Sequence, residues 1–237
     1  ILEQYNEEQL FSKLQYKACK DCGHVNINEV PDQNIMDNLY SNYYSYPSPL
    51  KGEFKPIRDN HFMHVFKEQF HSICKKRKLV DVLEVGCFDG YILYNLQKEG
   101  YNVTGCDPSI GSDIGKSFGL NILKENFEPE NFMEDGNFFD VIISRHLIEH
   151  TTKPKNFILD LKKILNNNGL LIIETPNIQH FLQEGLFEVF SLQHITLFTS
   201  KSIEYLLNQA GFNVIHTETT PDNLILAAVK SNCNKNT

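Results

Sequence analysis

The sequence predicts an α/β fold: a mostly parallel sheet with helices on both faces and an antiparallel hairpin at its C-terminal end. Three features carry this. From residue 79 onward, short apolar runs alternate with amphipathic helical patterns, the signature of strands joined by helical crossovers. The run Val82-Leu83-Glu84-Val85 breaks into the small-residue turn Gly86-Cys87-Phe88-Asp89-Gly90, and a helical pattern starts at once. Near the end, the apolar runs 212–217 and 224–229 are separated by the turn Pro221-Asp222-Asn223. A parallel return needs a crossover of about a dozen residues, so these two runs pair antiparallel.

Taken in order, residues 59–78 form a helical pattern leading into a buried strand at 79–85, followed by a helix at 91–99 that Gly100 stops. A second strand occupies 102–106, a short helical segment 110–118, a brief third strand 121–123, and a fourth strand 138–144. Pro154 opens a helix over 155–167, where Phe157, Ile158, Leu161, Ile164 and Leu165 share one face; Gly169 ends it, and 170–174 is the fifth strand. A helix at 200–210 is capped by Gly211 before the final hairpin. Residues 1–58 fall outside the alternation and form an N-terminal appendage; 59–230 form the main domain, and 231–237 a polar tail.

Composition narrows the function. In 237 residues, 30 acids against 22 Lys and Arg give a formal charge of −8, a poor match to nucleic acid. The run Lys75-Lys76-Arg77-Lys78 reads as a solvated helix end. Six cysteines, at 19, 22, 74, 87, 106 and 233, lack the spacing of a disulfide scaffold, and no apolar window approaches a membrane span. A reduced cytoplasmic protein without a membrane partner is expected, as a monomer or homodimer. The chain begins at Ile1, and further sequence upstream is expected.

The turn at 86–90 has the form of a strand–loop–helix nucleotide site. Glycine lets the backbone approach a ligand, and the helix offers its N-terminal N–H groups. Asp107, at the end of the next strand and 17 residues beyond Gly90, is placed to hold ribose hydroxyls. The loop reads acid-x-Gly-x-x-x-Gly rather than G-x-G-x-x-G, because Phe88 and Tyr91 stand at glycine positions.

With the loop, the strand order and the final hairpin together, residues 59–230 resemble the class I S-adenosylmethionine (SAM) dependent methyltransferases, whose sheet is Rossmann-like with an antiparallel C-terminal hairpin. A nicotinamide-binding Rossmann domain would normally continue parallel. More narrowly, the chain resembles a branch of sugar C-methyltransferases and other methyltransferases of bacterial surface-polysaccharide pathways. That match rests on Arg145-His146-Leu147-Ile148-Glu149-His150, Glu174-Thr175-Pro176-Asn177, Gln193-His194-Ile195-Thr196-Leu197-Phe198-Thr199 and Ala210-Gly211-Phe212. The resemblance implies that Glu84, Gly86, Cys87 and Gly90 line the methionine end of SAM, and that Asp107 holds the ribose. Pro108 and Ser109 would then lie near the adenine, Asn126 and Phe127 would flank it, and Ser144 and His146 would pass beneath the sulfonium. Phe88 either covers the cofactor or marks a loop that has drifted. Gln193 replaces a Glu frequent in the branch.

Methyl transfer is an in-line displacement in which the cofactor supplies the electrophile, and a base takes the acceptor's proton. His194, His150 and Glu149 are the candidates for that role, His150 and Glu149 also having structural readings as backbone-bonding groups. Tyr40, Tyr43, Tyr44 and Tyr46 suit a lid over SAM, with Tyr44 against the cofactor, or ordinary packing. Cys19-x-x-Cys22 with His24 supplies half of the branch's zinc ribbon, so no metal is expected unless an upstream Cys pair completes it. The expected activity is transfer to a small polar acceptor: a nucleotide-linked or phosphorylated sugar, or a related intermediate of surface-polysaccharide modification. Oxygen is preferred slightly over carbon or nitrogen. The alternatives are a nicotinamide-dependent oxidoreductase and a non-catalytic SAM-binding protein.

Overall fold

The computed structural model describes residues 15–30, 81–133, 138–191 and 193–231. The tyrosine cluster including Tyr44, the helical pattern at 59–78, its basic end, Cys74 and Cys233 lie outside the described residues.

The main sheet is built from β3 (Asp81–Val85), β4 (Asn102–Cys106), β5 (Asn121–Leu123), β6 (Phe139–Arg145), β7 (Leu165–Pro176), β9 (Phe212–Thr219) and β10 (Asn223–Lys230). Its spatial order is β5-β4-β3-β6-β7-β10-β9. Pairings from β5 to β7 are parallel, while β10 runs antiparallel to both β7 and β9. The hairpin of the sequence reading is therefore present, with its second strand inserted next to β7. The strand order reverses between β3 and β6, which opens a crevice beyond their carboxyl ends.

Strand side chains alternate between two cores. Val82, Val141, Ile143 and Ile172 point to the face covered by α1 (Tyr91–Lys98), through Leu93 and Leu96. Leu83, Val85, Ile142 and Ile173 point to the opposite face, against α3 (Pro154–Ile164) and α5 (Ser200–Gln209), through Leu161 and Ile203. Both faces of the central strands are apolar, so β3 and β6 read as continuous hydrophobic runs. Pro154 starts α3, and Thr199 closes a capping box with Ser202 at the start of α5.

The short helix α2 (Gly111–Ser117) follows β4, and it must sit close to the turn after β3. A Cβ on Gly115 would lie 2.4 Å from Ile122 Cδ1 and 2.7 Å from the Asp89 carbonyl oxygen. Gly115→Ala gains helix propensity but meets backbone that cannot step aside. It is expected to lower the unfolding free energy by about 1–3 kcal/mol, read as a shift of the urea midpoint at unchanged slope.

Two features differ from the sequence reading. The helix expected to reach residue 167 ends at Ile164, and β7 begins at Leu165 rather than 170. Leu165 pairs with Phe139, and Asn166 Nδ2 donates to Asp140 Oδ1 at 2.9 Å, so the edge of β6 captures the chain. The second is a small sheet: β1 (Tyr16–Ala18), β2 (Val25–Ile27) and β8 (Thr196–Leu197). Thr199 Oγ1 donates to the Cys22 carbonyl at 2.7 Å, and the Tyr16 hydroxyl donates to the Ser191 carbonyl at 2.8 Å. Val25 packs with Ile178 of α4 (Ile178–Glu184), Val189 and Leu197. Cys19 and Cys22 are free thiols in the tight turn between β1 and β2.

Candidate active site

A cleft of about 730 Å³ lies at the carboxyl ends of β3, β4 and β6, where the strand order reverses. The turn after β3 forms its floor. Gly86 has φ +77°, and its N–H donates to the Cys106 carbonyl at 2.8 Å, tying this turn to the end of β4. Gly90 has φ +71°, caps α1 and faces Leu120 and Ile122; it is not among the lining residues. Phe88 holds φ 47°, a left-handed conformation that costs a bulky residue strain. Two contacts hold it there. Its N–H donates to Asp107 Oδ2 at 2.8 Å, and its ring covers Gly111, where a Cβ would approach ring atoms to 2.5 Å. The loop thus keeps the backbone shape of a glycine while the ring closes the gap to α2.

Asp107 is 8 % exposed and anchors the cleft's other wall. Its Oδ1 accepts from the Ser109 N–H at 2.8 Å and from the Ser109 hydroxyl. Three donors leave lone-pair room on a carboxylate, and the Ser109 hydroxyl is a donor that a ligand hydroxyl can replace. Pro108, Ser109, Asn126 and Phe127 line the adjoining wall, with Phe127 stacked on Phe132 and meeting Phe157 edge to face. Cys87 and Cys106 are buried, and burial pushes both thiols up, Cys106 to about 12. They are inert walls rather than nucleophiles.

Glu84 reaches the floor from the last turn of β3. It is 3 % exposed, its Oε2 has no hydrogen-bond partner, and burial raises its carboxyl to about 8. Beside it the β6 turn carries a charge cluster. Arg145 Nε donates to Glu174 Oε2 at 2.5 Å, and Asn223 Nδ2 donates to Glu174 Oε1 at 2.9 Å. His146, at φ 46°, donates its N–H to the Glu174 carbonyl at 2.9 Å. Its ring nitrogens lie 3.4 Å from Glu149 Oε1 and 3.7 Å from Glu174 Oε1. Burial opposes charge on this ring, but the two carboxylates prevail and raise His146 to about 9. The same pairing holds Glu149 and Glu174 low against their own burial. Ser144, 1 % exposed, is buried beneath this turn with its hydroxyl unpartnered and is not among the lining residues.

His150 and His194 meet at the far end of the cleft, with ring centroids 5.1 Å apart. His150 Nδ1 bonds the Gln193 carbonyl at 2.8 Å, and His194 Nδ1 bonds the Val189 carbonyl at 2.5 Å. A carbonyl can only accept, so each Nδ1 carries a proton and Nε2 is the nitrogen not engaged by the backbone. The backbone bond expected of a structural His150 is present, and its Nε2 lies 3.9 Å from Glu149 Oε1. Burial lowers His150 below its ordinary value, which favours its neutral form. The sequence reading gave Arg145, Glu174 and Lys153 no role at the site, Arg145 and Glu174 entering only through the resemblance, although all but Glu174 line the cleft. Glu174 had a signal of the same kind as Glu84, an acid at the end of an apolar run.

A family model described as "Methyltransferase domain" matches residues 57–217, more than half of the chain. The chain belongs to the methyltransferase domain family. The methyltransferase domain is 32% identical over 130 residues to a ubiquinone biosynthesis O-methyltransferase of Rickettsia bellii (strain OSU 85-389), covering 52% of this chain and 51% of that protein. A namesake from Rhizobium leguminosarum bv. trifolii (strain WSM2304) is 24% identical over 151 residues, with 60% and 59% covered. The Rickettsia match spans about half the length of each protein.

The methyltransferase domain shares its fold with magnesium protoporphyrin IX methyltransferase of Synechocystis PCC 6803, solved with S-adenosylhomocysteine. That match has a TM-score of 0.60 at 18% identity and covers 84% of this chain and 100% of that one. A plantazolicin methyltransferase, also solved with S-adenosylhomocysteine, matches at a TM-score of 0.58 and 18% identity, covering 70% and 81%. None of the proteins named above is described as a sugar methyltransferase; their names refer to ubiquinone biosynthesis, magnesium protoporphyrin IX and plantazolicin.

Proposed function

We propose that this methyltransferase domain transfers the methyl group of SAM to a hydroxyl of a small polar acceptor. The observation that carries the reading is the pairing of a buried carboxylate, Asp107, with a cleft that ends at two histidines, each held through Nδ1 by a backbone carbonyl. The cofactor runs across the turn after β3: Glu84, Gly86, Cys87 and Phe88 beside the methionine end, Asp107 on the ribose, Asn126 and Phe127 on the adenine. His146 lies under the sulfonium. As the shared cation of two carboxylates it orients this turn and does not serve as base. His194 or His150 receives the acceptor's proton as oxygen attacks the methyl carbon and the C–S bond breaks.

For the acceptor we favour a sugar carrying a nucleotide or phosphate. Lys153, Thr151, Thr152 and Asn156 give the mouth of the cleft cationic and hydroxyl donors for such a group. The second reading is an aromatic hydroxyl, supported by the relatives' names. Labelled SAM offered with sugar nucleotides, sugar phosphates and catechols separates the two: label on the sugars alone supports the first, label on the catechols alone the second.

His194→Ala is expected to reduce kcat by about 10²–10⁴-fold while the Kd for S-adenosylhomocysteine stays unchanged. Unaltered turnover removes His194 from the mechanism.

A further inference from the structure

The acceptor end of the cleft holds three donor atoms from two separate parts of the chain. Glu149 and His150 lie in the 3-10 turn after β6 (Ile148–His150), and His194 lies just before β8. Their ligating atoms fall within 4.8 Å of one another, and this is the metal-competent cluster among the described residues. Glu149 is fully buried, its Oε2 accepts from Thr175 Oγ1 at 3.0 Å, and its Oε1 accepts no hydrogen bond. His150 Nε2 lies 3.9 Å from that same Oε1.

We propose that Glu149, His150 and His194 form a binding site for a divalent transition-metal ion, with an open position facing the cleft that takes the acceptor's oxygen; in the ion-bound chain both imidazoles are ligands, and the acceptor's proton leaves to solvent rather than to a histidine. The acceptor's place at the ion rests on the reading of the cleft as an acceptor pocket; the ion site itself does not. Three observations support it. Each imidazole gives its Nδ1–H to a backbone carbonyl, the arrangement that fixes a ligating histidine with Nε2 outward. The carboxylate has one oxygen anchored by Thr175, and the other makes no hydrogen bond of good geometry, facing the His146 ring at 3.4 Å. Two imidazoles and one carboxylate leave one side open, the donor set of catalytic rather than closed structural sites.

The distances require little movement. Ligands about 2.0–2.2 Å from a shared ion are about 3.0–3.5 Å apart, so His150 Nε2 and Glu149 Oε1, now 3.9 Å apart, must close by roughly half an ångström to an ångström, and no pair of the three by more than about 1.8 Å. Side-chain rotation supplies that. His146 Nδ1, 3.4 Å from Oε1, is the cationic group an arriving ion would displace from this oxygen. With two nitrogen donors of three, the site selects zinc, iron(II) or cobalt over magnesium, which takes oxygen.

Cobalt(II) is the probe, titrated into the full chain carrying Cys19→Ser and Cys22→Ser so that no thiolate pair competes. The expected result is one equivalent bound with visible d–d absorption, and affinity at least tenfold lower in both Glu149→Gln and His194→Ala. His150→Asn, checked for native circular dichroism, serves where either variant does not fold. Absence of a cobalt spectrum, or equal affinity in the variants that fold, overturns the site. Addition of catechol should shift the d–d bands; bands that do not move overturn the open position. Calorimetry with S-adenosylhomocysteine runs separately. A chain that binds cobalt as expected but no S-adenosylhomocysteine refutes the proposed function and leaves the ion site standing.

Discussion

Asp107→Asn weakens binding of S-adenosylhomocysteine by about 10–100-fold, corresponding to the loss of a charge-assisted pair of hydrogen bonds worth about 1.5–3 kcal/mol. The carboxylate is buried, so the hydrogen bonds proposed for it to ribose hydroxyls would form out of competition with water. The same group holds the Phe88 and Ser109 amides, so the substitution acts on the loop as well as on the ligand. Asparagine keeps one carbonyl oxygen, and its NH2 is a donor aimed at another donor. Calorimetry measures the affinity, and thermal unfolding of the empty chain separates the two contributions. A Kd within error of the original assigns Asp107 to the loop alone.

Glu174→Ala carries the largest expected cost to stability, about 3–5 kcal/mol, because it strands charges that are already out of water. Arg145 loses its partner, His146 loses one of two carboxylates, and the Asn223 amide loses its acceptor. Urea unfolding measures the cost. Glu174→Gln keeps an acceptor for Asn223 and is expected to fall between the two.

The pH dependence follows from the same cluster. Glu174 lies below its ordinary value of 4.5 in the folded chain: burial pushes it up, and hydrogen bonding to His146 and the charge of Arg145 pull it down further. Its contribution is present above 4.5 and lost as pH falls through the lowered value. His146 runs the other way. Burial disfavours its charge, Glu149 and Glu174 more than compensate, and the result is about 9 against an ordinary 6.5. Its contribution is complete below 6.5 and is lost as pH rises through about 9. Stability therefore falls on both sides of a plateau, and the alkaline fall is smaller in Glu174→Ala, where only Glu149 faces the ring. An alkaline limb of equal size in the two proteins contradicts this account.

The parts of the fold that local chemistry dictates were legible in the sequence. Short segments between helical patterns produced β4 and β5 at 102–106 and 121–123, where Val103, Gly105, Cys106 and Ile122 are buried while Asn102 and Asn121 are exposed. The antiparallel β10 followed from a turn too short for a crossover. What local pattern could not show was pairing across long stretches of chain. β2 is three residues and β8 two, too short for any periodicity, and their partners lie about 170 residues apart. The start of β7 was hidden in Asn166-Asn167-Asn168-Gly169, polar residues that read as a helix tail until Phe139 and Asp140 supply the edge they bind.

The candidate site shows the same division. Gly86, Asp107 and the histidines stand out by residue type and position, and the structure gathers them around one cleft. The pairing of the charge cluster does not stand out, even though His146 and Glu149 do, because Arg145, His146, Glu149, Glu174 and Asn223 come from β6, β7, β10 and the turn after β6. Phe88 was ambiguous in sequence. Its left-handed backbone and its ring on Gly111 make it a built part of the loop rather than a glycine lost by drift. No helix of the described residues is long and apolar enough to cross a membrane.

The central claim is that the crevice between β3 and β6 is a SAM site. Isothermal titration of the chain with S-adenosylhomocysteine and, separately, with NADH tests it most directly. One equivalent of S-adenosylhomocysteine bound, weakened by Asp107→Asn, with no heat from NADH, is the predicted result. Binding of NADH in its place, or no binding of S-adenosylhomocysteine by the folded chain, contradicts it.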